Sequence, residues 1–75
     1  MRWCVMQSMK YRKWILTVMS EDFTEYEVTD IMSDDVWRVV QYADYLNGKI
    51  PENIIKDKSM LSTLDSVKER YSRNR

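Results

Sequence analysis

A chain of 75 residues with zero formal net charge, 44% hydrophobic and 32% charged, reads as one small folded domain and not as a disordered tail or a string of modules. No histidine, one cysteine and one glycine exclude zinc-site spacings, serine–histidine and cysteine–histidine nucleophile pairs, and glycine-rich phosphate loops. The zero hides a segregation: Arg2, Lys10, Arg12 and Lys13 face no acid up to residue 19, Glu21, Asp22, Glu25, Glu27, Asp30, Asp34, Asp35 and Asp44 face Arg38 alone from 20 to 47, and base prevails again after Gly48.

Met1 to Met9 alternates roughly between apolar and polar residues, with Met1, Trp3 and Val5 on one side, and is expected to be a first strand. Lys10-Tyr11-Arg12-Lys13 marks the turn into a second strand, Trp14 to Met19. Trp14, Leu16 and Val18 would face one way and Ile15, Thr17 and Met19 the other, so both faces are apolar and the strand should be central. Ser20-Glu21-Asp22 opens a hairpin connection longer than two residues, since the Asn-Gly signature is missing. Phe23 to Met32 alternates once more, Tyr26 and Val28 against Glu25, Glu27 and Thr29, which describes a strand with one wet face.

Ser33 to Gly48 carries every helix signal at once. Ser33 is the expected N-cap, Asp34 and Asp35 lie where the helix dipole is positive, and Asn47-Gly48 supplies the stop. Val36, Val39, Val40, Ala43 and Leu46 make an apolar stripe, with Val36, Val40 and Ala43 expected against Trp14, Leu16 or Val18 of the sheet. Trp37 lies on the shoulder of the stripe, and Met32 with Trp37 forms a hydrophobic staple. Beyond it, Pro51 suits the first position of a short helical turn, and Ile50, Ile54 and Ile55 should plug the base of the core. Ser59 is a second N-cap, with Met60, Leu64, Val67 and Tyr71 on one face of a helix from 59 to 72 and surface pairs Asp65–Lys68 and Glu69–Arg73. The expected fold is thus α+β: a small antiparallel three-stranded sheet packed on one side by two helices.

Lone Cys4 makes no internal disulfide and is expected to be a buried small hydrophobe in a reducing cytoplasm. No apolar run is long enough for a signal peptide or a membrane span. Asp34-Asp35 is the obvious carboxylate pair for acid–base chemistry, but neighbours on a helix diverge by about 100° and both serve the helix start, so no catalysis, cofactor or metal is expected. Two surfaces remain. Glu25, Glu27, Asp30, Asp34 and Asp35 would form an acidic patch that steers a basic partner, beside Arg38, Tyr42 and Tyr45 projecting from the outer face of the helix. Lys10, Tyr11, Arg12 and Lys13, together with Arg70 and Arg73, would instead suit nucleic acid.

The segment EVTDIMSDDVWRVVQYAD, through Glu27-Val28-Thr29, Asp34-Asp35-Val36, Trp37 and Gln41-Tyr42-Ala43-Asp44, resembles small early proteins of T-even-type bacteriophages, in particular an antitoxin of that group. From Gly48 onward the chain departs from that pattern. The resemblance implies a phage-encoded protein of the host cytoplasm that binds and neutralises a host defence factor, such as the toxin nuclease of a toxin–antitoxin system. The resulting expectation is a non-enzymatic inhibitor acting through its acidic surface. The alternatives are a nucleic-acid-associated regulator using the basic residues, and a structural subunit that oligomerises through Trp3, Trp14 and the sheet edge.

Overall fold

The alternating stretches form a meander of three antiparallel strands, β1 (Arg2–Ser8), β2 (Lys13–Met19) and β3 (Glu25–Ser33), in the order β1-β2-β3. A helix α1 (Val36–Leu46), a single 3-10 turn (Glu52–Ile54) and a second helix α2 (Lys58–Ser72) complete the chain. The structure, a computed structural model, describes residues 1–72. The α+β architecture and the central position of β2 agree with the alternation.

Register explains why β2 is apolar on both faces. The rows Trp3–Val18–Tyr26 and Val5–Leu16–Val28 face the helices, whereas Arg2–Met19–Glu25, Cys4–Thr17–Glu27 and Met6–Ile15–Met32 lie on the other face. Trp3, Leu16, Val18, Val28 and Ile31 join Val39, Tyr42, Ala43 and Leu46 of α1, Ile55, and Leu64 and Val67 of α2 in one core. Ile15 and Thr17 are also buried, at 0% and 1% exposure, beneath the side chains that flank the central strand. The ladder jumps between Ile15 and Leu16, whose partners are Met32 and Val28, so Thr29, Asp30 and Ile31 bulge out of β3. The bulge breaks the predicted alternation and lets both Val28 and Ile31 enter the core.

The start of α1 differs from expectation. Asp35, not Ser33, is the N-cap, with extended backbone and Oδ1 accepting from the Trp37 N–H at 3.0 Å. The Ser33 hydroxyl accepts from the Asp35 N–H one step earlier, and Asp34 and Asp35 precede the helix. A carboxylate accepts more strongly than a hydroxyl, so the cap moves to the aspartate. Trp37 becomes the second helical residue instead of the fourth and stands 75% exposed, so there is no staple. Val39, Tyr42, Ala43 and Leu46 are the buried set, and Val36 and Val40 are only half-buried.

The end of α1 follows the Asn-Gly signal closely. Asn47 is the C-cap, Gly48 takes φ +79°, and the N–H groups of Gly48 and Lys49 donate to the carbonyls of Tyr45 and Asp44, which is a Schellman closure. Asn47 does more than stop the helix. Its side-chain amide accepts from the Trp3 N–H at 3.0 Å and donates to the Trp3 carbonyl at 2.9 Å, closing part of the free edge of β1.

In the remaining chain Pro51 precedes the 3-10 turn as its N-cap. Ile55 is buried and Ile50 packs against the core, but Ile54 is 43% exposed and plugs nothing. The cap of α2 is Asp57, not Ser59; its Oδ1 accepts from the Ser59 N–H at 3.1 Å and from the Ser59 hydroxyl at 2.6 Å. Asp65 turns to α1, accepting from Tyr45. Arg73 lies outside the described residues.

Candidate functional site

The β1–β2 turn and the β2–β3 loop stand at opposite ends of the sheet, so charge segregated along the sequence is segregated in space. From Lys13 to Met19 the central strand spans about 20 Å. That exceeds twice the Debye length at physiological salt, about 8 Å, so a partner reads the two ends separately.

Lys10, Tyr11, Arg12 and Lys13 occupy one end. Arg12 has φ +56°, the Tyr11 N–H donates to Ser8 Oγ at 3.2 Å, and Lys10 Nζ lies 5.3 Å from the Tyr11 ring centroid. Lys13 Nζ is 3.7 Å from Asp34 Oδ2, so this basic end is partly answered by an acid. Arg70, which the nucleic-acid reading joins to these residues, is on the last turns of α2 and holds Asp30 through two bonds of 3.0 and 3.3 Å. The hydrogen bond from Arg70 keeps the Asp30 carboxyl below the ordinary range. Tyr71, its neighbour, contacts Trp3 and Tyr26, which places this end of α2 beside the opposite end of the sheet from Lys10.

At that opposite end acid prevails. Glu25 and Glu27 are exposed on the open face of the sheet, and Glu21 and Asp22 occupy the adjoining loop. Among the described residues the ion pairs are Lys13–Asp34 and Asp30–Arg70, so these four carboxylates have no ion-pair partner there. The five acids expected in one patch are therefore dispersed. Glu25 and Glu27 share a sheet face, Asp30 is engaged by α2, Asp34 sits at the basic end, and Asp35 caps α1.

The loop between β2 and β3 is tightly pinned. Ser20 N–H donates to the Thr24 carbonyl at 3.0 Å, Phe23 N–H to the Ser20 carbonyl at 3.0 Å, and Thr24 N–H to Asp22 Oδ1 at 3.1 Å. The Ser20 hydroxyl also donates to Asp22 Oδ1; that bond first and then the Thr24 N–H hold the Asp22 carboxyl below its usual value. At the tip Phe23 is 81% exposed with φ +65°, a conformation that costs a bulky residue about 1–2 kcal/mol. Glu21, Asp22 and Phe23 were not among the sequence candidates; an aromatic inside a loop of acids, with no glycine to take the positive φ, is the signal they carried.

The three helix residues proposed for a partner separate. Tyr42 is 4% exposed and belongs to the core, and its burial raises the phenol above its ordinary value. Tyr45 Oη donates to Asp65 Oδ1 at 3.0 Å, tying α1 to α2; this bond raises its phenol too. Arg38 remains exposed, within electrostatic reach of Tyr42 and Asp57. Trp37 is the aromatic that α1 exposes.

Among the described residues no cluster of histidine, cysteine, aspartate or glutamate is arranged to hold a metal ion, and no helix is long and apolar enough to cross a membrane. No protein-family model, no curated protein and no solved structure matches the chain.

Proposed function

We propose that this protein is a non-catalytic inhibitor of the phage antitoxin kind, which neutralises a host protein by binding a basic surface, such as the nucleic-acid groove of a toxin nuclease. The observation that carries the reading is the uncompensated acidic end: Glu21, Asp22, Glu25 and Glu27 lack cationic partners among the described residues while Phe23 stands exposed between them. Such a field steers association, and a held aromatic at its centre supplies an anchor that buries on contact. Asp34 and Asp35, the pair nearest to a catalytic arrangement, are already used by Lys13 and by the helix cap. The basic residues support nucleic-acid binding less well, because the turn at Lys10 and the end of α2 lie at different ends of the sheet.

The test uses the protein captured on the immobilised chain from host extract, followed by binding kinetics with the isolated partner. Reversing Glu25 and Glu27 to Lys should slow association about tenfold at low salt and flatten its salt dependence. Phe23→Gly should speed dissociation while leaving the fold as stable or more so, because glycine relieves the positive φ. Unchanged association in the Glu25/Glu27 variant refutes the mechanism, and a loss confined to Lys10→Ala and Arg12→Ala would transfer function to the basic end.

A further inference from the structure

Between the last turn of α2 and the β2–β3 loop lies a cleft of about 540 Å³, within the size range of sites that hold small ligands or single anchoring side chains. Met1, Val18, Tyr26 and Tyr71 supply its apolar lining, and Ser20, Glu21 and Asp22 its polar lining. Tyr71 is fixed by Trp3, edge-on at 6.0 Å, and by Tyr26, tilted 40° at 6.1 Å. Tyr26 is 46% exposed, so its ring has surface to offer. Ser20 and the Thr24 N–H donate to Oδ1 of Asp22 and the Thr24 hydroxyl also supports that carboxylate, while neither Asp22 nor Glu21 has an ion-pair partner among the described residues.

A cleft that combines aliphatic surface, an open aromatic ring and two carboxylates without an ion-pair partner among the described residues selects a cation carried on an apolar stem and disfavours phosphates or carboxylates. We propose that it receives an arginine side chain of the basic partner inferred above, on whose existence the biological role of the cleft rests. The methylene stem lies along Val18 and Met1, the guanidinium spreads over Tyr26, and its N–H groups donate to the carboxylates of Glu21 and Asp22. Arginine fits better than lysine because its planar cation stacks on rings and donates in a fork to carboxylates. The chain makes the same kind of contact internally, with the Arg70 guanidinium 6.0 Å from the Tyr71 ring centroid.

Titration of the whole chain with acetyl-arginine amide, followed by NMR, tests the cleft without the partner. The rings of Tyr26 and Tyr71 and the amides of Glu21 and Asp22 should shift together, and the uncharged isostere acetyl-citrulline amide should bind at least about tenfold more weakly. The double variant Glu21→Gln, Asp22→Asn should lose about tenfold in affinity while keeping the loop, since asparagine retains the Oδ1 acceptor. Tyr26→Leu should lose about three- to fivefold. Equal binding of citrulline, or shifts located elsewhere, overturns the proposal. The two readings fail separately: normal steering by Glu25 and Glu27 with an unresponsive cleft removes only the arginine site, whereas arginine binding with unaltered association of the charge-reversed variant leaves the site and removes the steering.

Discussion

Replacing Asn47 by alanine isolates a contact that joins the first strand to the end of α1. The side-chain amide makes two part-buried bonds to the backbone of Trp3, across 44 residues of sequence. Each such bond has a net worth of about 0.5–1.5 kcal/mol, so the loss should be about 1–3 kcal/mol. For a domain of this size each kcal/mol moves the melting midpoint by about 4–8 °C. The cap itself should survive, because Asn47 has φ −79° and ψ −4°, which alanine adopts readily. Urea unfolding should thus show a lower midpoint at constant slope, and hydrogen exchange should quicken at the Trp3 amide. Asn53→Ala, on an exposed turn, is the control. If the two variants unfold alike and the Trp3 amide exchanges as before, the bridge contributes nothing and the account of the β1 edge is wrong.

Gly48→Ala should cost about 1–2 kcal/mol through the positive φ alone, since a Cβ there would meet nothing within 4 Å; a neutral result by thermal unfolding would contradict the Schellman closure. Tyr42→Ala should destabilise by about 3–5 kcal/mol, whereas Trp37→Ala should stay within about 0.5 kcal/mol; chemical denaturation giving the reverse order would invalidate the orientation of α1. The Asp30 carboxyl is held below its unfolded value by the bond from Arg70, so its contribution is complete above about pH 4 and is lost as pH falls through the lower folded value. Asp30→Asn should accordingly flatten the stability–pH profile on the acid side, and a profile as steep as that of the parent would exclude the pair as a source of pH dependence.

Period-two and period-3.6 patterns made the sheet, its strand order and both helices legible in the sequence, because burial on one face leaves a direct imprint on residue type. What was not legible depended on a competition between neighbours. Ser33 and Asp35 are both good caps, and on α1 two overlapping apolar stripes compete, of which packing buries the one with Tyr42 and leaves Trp37 exposed. Ser59 and Asp57 pose the same choice, resolved again in favour of the aspartate. The bulge after Val28 has no glycine to announce it, yet it separates Asp30 from Glu25 and Glu27 and thereby dissolves the expected patch. Acidity of the segment could be read in one dimension; which carboxylates stay unpaired depends on α2 and on the β1–β2 turn, both remote in sequence.

Arg12 in the β1–β2 turn and Phe23 in the β2–β3 loop both hold a positive φ, but it is at the Phe23 end that the strained residue is an exposed aromatic set among carboxylates without an ion-pair partner among the described residues. Lys13 is near Asp34, Arg70 binds Asp30, and Asp35 and Asp57 cap helices, so these four acids have structural employment. Arg2 is the nearest basic candidate for Glu25, since both flank Met19 on the same sheet face. Two strand spacings separate their backbones by about 9.5 Å, and no ion pair forms between them. In the same place a phenylalanine occupies a left-handed conformation that glycine would hold without strain, and it presents its ring to solvent. Local choices that oppose stability and collect at one site are the mark of a surface shaped by something other than folding. It follows that substitutions which improve this end for the isolated domain, such as Phe23→Gly or a lysine among the carboxylates, are those that should damage its association with a basic partner.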